Sequence, residues 1–205
     1  MRQLRGLYAI TPDGMATAEL LAAVESFAAG GGRWLQYRNK LVTATERAAQ
    51  AGALADCCRT QGVRLIVNDD VDLALAIGAD GAHLGRDDGD LATARRRAGP
   101  SLILGASCYD RPDLATAAAA AGVDYVAVGA MFPSATKPGA VRAPLELIGE
   151  VRRATGLPVV AIGGIRLDNA AGVIAAGADM VAVISDLFGS PDITARTRAF
   201  QQLFD

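Results

Sequence analysis

The chain has 205 residues, 51% of them hydrophobic and 20% charged, which excludes a disordered chain and allows a large core without disulfide staples. Lys and Arg number 20 against 22 Asp and Glu, a net charge of −2, so nothing in the overall balance draws the protein to nucleic acid or an anionic membrane. Three cysteines, two of them adjacent (Cys57, Cys58 and Cys108), give neither a disulfide framework nor metal-ligand spacing. The expected state is reduced thiols in a cytoplasmic protein. The first ten residues hold no apolar export core, and no apolar run approaches the roughly 20 residues that cross a bilayer.

Short β-branched and apolar runs recur along the chain, each followed by a longer helical pattern. Strands are predicted at residues 7–10, 34–38, 65–68, 82–84, 103–107, 125–128, 159–162 and 180–184. Between them lie Ala-rich segments with apolar residues at helical spacing, such as Leu20, Leu21, Val24 and Phe27. Glycines after these segments read as C-caps. Strands that are apolar at nearly every position are buried on both faces, the mark of parallel strands covered by helices. Eight strands and about eight helices in a chain of this length predict an α/β fold, one (β/α)8 TIM barrel over residues 1–205. An open doubly wound sheet is the alternative. It would carry a Gly-x-Gly-x-x-Gly turn after its first strand, where this chain has Thr11-Pro12-Asp13-Gly14. Three segments echo one another, starting at Gly78, Gly122 and Gly177, and each reads as a helix end, a turn and a strand. The longest connection, between Phe132 and Pro144, is a candidate mobile lid.

A barrel of this kind carries its active-site groups at the C-terminal ends of the strands. The second strand ends on Gln36, Arg38 and Lys40, which alternation places on one side. The third ends Asn68-Asp69-Asp70, with Asp70 suited to cap the next helix. The fourth runs from His83 through Gly85 into Asp87 and Asp88, either of which also suits a helix cap. Two carboxylates beside two cations point to Mg²⁺ shared with a polyphosphate, since Mg²⁺ takes one or two protein carboxylates plus substrate oxygens. His83, the one histidine, reads as a structural hydrogen bonder rather than a base. Ser107 ends the fifth strand after Gly105, where a ligand can approach closely. Cys108 has no histidine in its loop to activate it. Ser134, Thr136 and Lys137 follow the sixth strand and suit phosphate oxygens. Gly163 and Gly164 after the seventh strand and Ser185 after the eighth mark the usual phosphate site of such barrels.

Over nearly its whole length the chain resembles the thiamine phosphate synthase family. The most specific pieces are Gln36-x-Arg38-x-Lys40, Val67-Asn68-Asp69, Gly81-x-His83-x-Gly85 with Asp88, and Phe132-Pro133-Ser134-x-Thr136-Lys137. The resemblance implies a Mg²⁺-dependent transferase that joins a hydroxymethylpyrimidine diphosphate to a thiazole phosphate, releasing diphosphate and thiamine phosphate. The step it implies is dissociative, through a pyrimidine-stabilised cation. By position, Asp69 and Asp88 are implied as the Mg²⁺ ligands, and Arg38, Lys40, Asn68 and Lys137 as diphosphate contacts. Gln36 and Ser107 are implied at the pyrimidine, with Ser134 and Thr136 along the substrates. Gly164, Ile184 and Ser185 are implied at the thiazole phosphate. Lys137, Arg38 and Ser107 are the implied catalytic groups.

Two positions depart from the family pattern. Ser134 stands where Thr is common, which keeps the hydroxyl. Tyr109 stands where many members carry a histidine, the proposed base of the related thiazole tautomerase. An isomerase of that type, and a non-catalytic binder of thiamine intermediates or of a protein partner, are the alternatives. The implied partners are small-molecule substrates, not nucleic acid or membrane, and homo-oligomer formation stays open.

Overall fold

The structure is a computed structural model that describes residues 4–133, 139 and 141–205. Among these, eight strands alternate with helices. They are β1 (Gly6–Ile10), β2 (Trp34–Tyr37), β3 (Arg64–Asn68), β4 (Gly81–Leu84), β5 (Ile103–Tyr109), β6 (Tyr125–Val128), β7 (Val159–Ile162) and β8 (Met180–Val183). The helices are α1 (Thr17–Ala29), α2 (Ala44–Gln61), α3 (Val71–Ala76), α4 (Leu91–Ala98), α5 (Pro112–Ala120), α6 (Glu146–Thr155), α7 (Ala170–Ala175), α8 (Ser185–Phe188) and α9 (Ile193–Gln202).

Every neighbouring strand pair is parallel, and β8 closes on β1 with Tyr8 opposite Ala182. The sheet is therefore a closed (β/α)8 barrel and not an open doubly wound sheet. The eight strands fall where the sequence places them, within one or two residues at their ends, and short α8 and terminal α9 follow the last strand.

Local chemistry explains the boundaries. Thr43 and Glu46 form a reciprocal capping box at the start of α2, with Glu46 N–H to Thr43 Oγ1 at 3.2 Å and Thr43 N–H to Glu46 Oε2 at 2.9 Å. Gly62 ends α2 in the left-handed region at φ 66°. Asp70 caps α3 through Leu73 N–H at 2.9 Å, as the sequence suggests. The cap of α4 is a correction: neither Asp87 nor Asp88 fills it, and Asp90 does, accepting from Thr93 N–H at 2.7 Å.

The repeated Gly-x-Asp segments have one shared task. In each, the aspartate accepts a backbone N–H at the start of the preceding strand: Asp80 from Leu65 at 2.9 Å, Asp124 from Leu104 at 2.8 Å and Asp179 from Val159 at 2.9 Å. Each also meets an arginine, Arg64, Arg95 or Arg152. These contacts pin the N-terminal ends of the strands, opposite the end where the candidate residues collect.

Two apolar layers build the core. One lies between strands and helices and includes Leu7, Leu35, Leu65, Val126 and Val181. The other fills the barrel and includes Tyr8, Trp34, Ile66, Ile103, Tyr125, Val160 and Met180. Burial on both faces is why the strands lack alternation in sequence. The barrel layer also explains Gly105. A Cβ there would lie 2.1 Å from Cζ of Tyr125, so the glycine makes room for an aromatic ring of the core and not for a ligand, as its sequence position had suggested.

Candidate functional site

The C-terminal ends of the strands bring most of the candidate residues together. Strand β2 ends at Tyr37, so alternation stops before Arg38 and Lys40, and the two cations turn to different acids. The Arg38 guanidinium pairs with Asp13, in the loop after β1. Thr11 Oγ1 accepts the Arg38 N–H and donates to the Arg38 carbonyl, both at 2.8 Å. Asp13 also accepts the Lys40 N–H at 2.7 Å, so one carboxylate holds both residues of the loop. The Lys40 ammonium lies 2.9 Å from Asp69 Oδ2. Gln36 points into the barrel, buried, with Nε2 3.0 Å from the Tyr8 hydroxyl.

Asp69 follows Asn68 with φ 65°, a left-handed backbone unusual for a residue with a Cβ. Its N–H bonds to the His83 carbonyl at 2.8 Å, which ties the end of β3 to β4. Asp88 folds back from the next loop so that Oδ2 accepts the Gly85 N–H at 2.7 Å. A Cβ at position 85 would lie 2.9 Å from that oxygen, and glycine removes the conflict. The Asp69 and Asp88 carboxyls are in hydrogen-bond contact and titrate in opposite directions. Burial acts to raise the Asp69 carboxyl, but hydrogen bonds from Lys40 and Asp88 outweigh it and hold it below the ordinary range. Burial and then the neighbouring Asp69 push the Asp88 carboxyl up. Two like charges in contact separate in this way, and a cation between them removes the conflict. Among the described residues no group of three or more His, Cys, Asp or Glu stands ready to hold a metal alone. The donor set suits a hard dication that draws its remaining ligands from substrate and water.

His83 is a structural hydrogen bonder, as its sequence setting suggests. Nδ1 lies 3.0 Å from the Tyr125 hydroxyl and Nε2 lies 2.9 Å from Ser107 Oγ. Cys108 is buried, and burial pushes its thiol up to about 12, so no thiolate is available there. Tyr109 lies beneath Arg86, whose guanidinium carbon is 4.7 Å from the ring centroid.

The second group sits on β7 and β8. Gly163 and Gly164 have φ of 103° and 61°, and Ser185 opens α8 directly after Ile184. Gly164 is more crowded than its sequence suggests. A Cβ there would lie 2.3 Å from the Pro133 carbonyl and 2.8 Å from that of Phe132. Gly163 accepts the Phe132 N–H at 2.9 Å. The loop after β6 is thus seated on the glycines after β7. Its residues Ser134, Thr136 and Lys137, and most of the candidate lid, lie outside the described residues.

Sequence reasoning missed three residues that support this site: Asp13 in the loop after β1, and Tyr8 and Tyr125 inside the barrel beneath it. Asp13 had a visible signal, an acid in the turn that follows the first strand. A cavity of about 360 Å³ lined by Cys58, Arg59, Gly62, Arg64 and Asp80 lies at the opposite end of β3 and touches none of the candidate residues.

Fold and site together define a (β/α)8 barrel enzyme with its polar groups gathered at the C-terminal ends of the strands. The sequence profile of the family described as Thiamine monophosphate synthase matches residues 7–187. The chain is 57% identical over 202 residues to the Thiamine-phosphate synthase of Methylobacillus flagellatus, covering 98% of this chain and 96% of that one. It is 57% identical over 203 residues to that of Aromatoleum aromaticum, covering 99% and 98%. A solved thiamine phosphate pyrophosphorylase from Pyrococcus furiosus superposes with a TM-score of 0.88 at 33% identity, covering 99% and 96%. The chain belongs to the thiamine monophosphate synthase family.

Proposed function

We propose that the protein is a transferase that joins 4-amino-2-methyl-5-hydroxymethylpyrimidine diphosphate to 4-methyl-5-(2-hydroxyethyl)thiazole phosphate, or its carboxylated form. The products are thiamine phosphate and diphosphate, with CO2 released as well when the thiazole is the carboxylated form. The observation that carries this reading is 57% identity, over nearly the full length of both chains, to proteins named Thiamine-phosphate synthase.

In the reaction the bond between the pyrimidine methylene carbon and the diphosphate oxygen breaks, and its electron pair leaves on the diphosphate. The thiazole nitrogen supplies the pair for the new carbon–nitrogen bond. That nitrogen carries no proton to lose, so the step asks for no general base and no protein nucleophile. A lone histidine tied into core hydrogen bonds and a cysteine held protonated accord with this. The work left to the protein is alignment and stabilisation of the departing charge.

Arg38, Lys40, Asn68 and Lys137 bind the diphosphate in this reading. Lys137 and Arg38 hold the charge that grows on it, and Ser107 aligns the ring. Gln36 and Ser107 face the pyrimidine, and Ser134 and Thr136 line the substrates. Gly164, Ile184 and Ser185 bind the thiazole phosphate, mainly through backbone N–H groups. Asp69 and Asp88 fit Mg²⁺, which when bound neutralises part of the diphosphate charge. Asp13 orients Arg38, and Asp69 orients Lys40. No helix is long and apolar enough to cross a membrane among the described residues. We place the enzyme in the cytoplasm, acting on small molecules.

The test is to combine both substrates with Mg²⁺ and assay thiamine phosphate. Product formation that needs both substrates is expected. No product, together with interconversion of thiazole isomers, would replace this reading with the tautomerase.

A further inference from the structure

A chain of hydrogen bonds crosses the inside of the barrel. It runs from Gln36 to Tyr8 at 3.0 Å, from Tyr8 to Tyr125 at 2.8 Å, from Tyr125 to His83 at 3.0 Å and from His83 to Ser107 at 2.9 Å. Gln36 is 3% exposed, Tyr8 1%, Tyr125 0% and His83 6%, so water does not compete for these groups. The rings are held by packing: Tyr8 meets Tyr125 edge-on, and His83 stacks on Tyr125 with 25° between planes. Gly105 leaves the space that the Tyr125 ring fills.

Such a chain has a direction. Gln36 Nε2 donates to the Tyr8 oxygen, so the single Tyr8 proton goes to Tyr125. The Tyr125 proton then goes to His83 Nδ1. A neutral imidazole that accepts at Nδ1 carries its proton on Nε2, and that proton goes to Ser107 Oγ. Ser107 accepts from inside the barrel, so its own hydroxyl proton is directed elsewhere. One of the two Gln36 Nε2 hydrogens is given to Tyr8, which turns the carbonyl end of the amide away from Tyr8. Turning the Gln36 amide over would reverse every bond, so that Ser107 donates its proton to His83 and offers only lone pairs to the mouth. Because buried hydroxyls are left neither without a donor nor without an acceptor, the two ends of the chain are locked to each other. Burial raises both tyrosine hydroxyls far above their ordinary range, which keeps the chain protonated.

We infer that this chain fixes the hydrogen-bond polarity of the pyrimidine site: Ser107 as donor and the Gln36 carbonyl as acceptor, with Tyr8, Tyr125 and His83 as positioning residues that select a 4-amino over a 4-oxo ring. The inference rests on the proposed pyrimidine substrate. A 4-aminopyrimidine presents an amino donor beside a ring-nitrogen acceptor. The 4-oxo ring presents the opposite pair, a carbonyl acceptor beside a ring N–H. A site of fixed polarity meets the first and leaves buried groups unpaired against the second.

The single histidine makes the first arm of the test direct, since its imidazole nitrogen signals need no assignment against others. ¹⁵N NMR of the full chain near pH 8 is expected to report a neutral ring protonated at Nε2. A ring protonated at Nδ1, or a mixture, overturns the inferred direction. The second arm measures Kd for the amino and oxo pyrimidine diphosphates without thiazole phosphate, so that no chemistry enters. The wild type is expected to favour the amino ring by at least about 100-fold. Tyr125→Phe keeps the ring and removes the link, and is expected to mix the tautomers and shrink that ratio about tenfold or more. Tyr8→Phe breaks the chain one bond earlier and is expected to do the same. An unchanged ratio in either folded variant overturns the selectivity role. A wild type that binds neither ring defeats the substrate reading, and this selectivity with it, while the tautomer arm still judges the relay.

Discussion

Gly164 offers the sharpest test of how the mouth is built, because another glycine provides its control. Gly164 and Gly156 have nearly equal φ, 61° and 67°. An alanine at either one takes on the left-handed conformation, at about 1–2 kcal/mol. They differ in what the new Cβ meets. At Gly156, the C-cap of α6, nothing lies within 4 Å. At Gly164 the Pro133 carbonyl oxygen would be 2.3 Å away and the Phe132 carbonyl carbon 2.9 Å. These are backbone atoms that cannot rotate aside, so an overpacking cost of about 1–3 kcal/mol adds to the conformational one. At about 2–4 °C per kcal/mol for a chain of this size, Gly156→Ala should lower Tm by roughly 2–8 °C and Gly164→Ala by roughly 4–20 °C. Calorimetry on the two variants side by side reads the difference. Kinetics adds a second readout. The loop that the Cβ displaces leads into Ser134, Thr136 and Lys137, so Gly164→Ala should raise KM for both substrates. Equal Tm values for the two variants would show that the glycine-to-loop contact is not rigid. A KM effect confined to the thiazole phosphate would show that the loop does not serve the diphosphate.

Two further predictions concern charge and thiols. EDTA should abolish turnover and added Mg²⁺ should restore it. Asp69→Asn should lose most activity and its metal dependence together, and full activity without divalent metal would remove Asp69 and Asp88 from the metal role. Burial holds Cys108 up at about 12 against an ordinary 9.0, so iodoacetamide should alkylate it about 10³-fold more slowly in the folded protein than after denaturation. Cys108→Ser should stay active, and severe inactivation with the fold intact would reopen covalent catalysis.

The barrel was legible because its signal is local and repeated. Each strand is a short run that is apolar at nearly every position, and each sits between segments of helical period. The mouth was legible only where strand ends carry unusual polar residues, as at Asn68-Asp69 and Gly85 to Asp88. What could not be read was decided by long-range contacts. Asp13 is tied to Arg38, 25 residues away, and no local pattern pairs them. Tyr8 and Tyr125 are 117 residues apart and read as ordinary strand aromatics. Their hydroxyls matter only because closure of the barrel brings them together beside His83. The purpose of Gly105 was misread for the same reason, since the ring that fills its space comes from the neighbouring strand. Three acids crowd the entry to α4, and Asp90 is the cap because it immediately precedes Leu91, while Asp88 turns back to Gly85.

The Gly-x-Asp repeats divide the molecule by task, and that division can be measured. Asp124 accepts the N–H of Leu104, a fully buried residue, and pairs with Arg95 at the N-terminal end of the barrel. The ion pair is half exposed and adds little by itself. The backbone contact matters more. Asp124→Ala leaves a buried N–H without its acceptor, at about 1–3 kcal/mol, whereas Asp124→Asn keeps an acceptor oxygen and removes only the charge. The expected Tm losses are therefore about 2–12 °C for alanine and under about 4 °C for asparagine. The candidate residues lie at the other end of the strands, so both variants should keep the wild-type kcat at temperatures where they are folded. Denaturation scans with turnover measured well below each Tm decide the matter. Equal losses for alanine and asparagine would mean that charge, not the backbone bond, is what the repeat supplies. A fall in kcat in a fully folded Asp124→Ala enzyme would mean that the two ends of the barrel are coupled, and that stability and chemistry in this fold are not divided between its two faces.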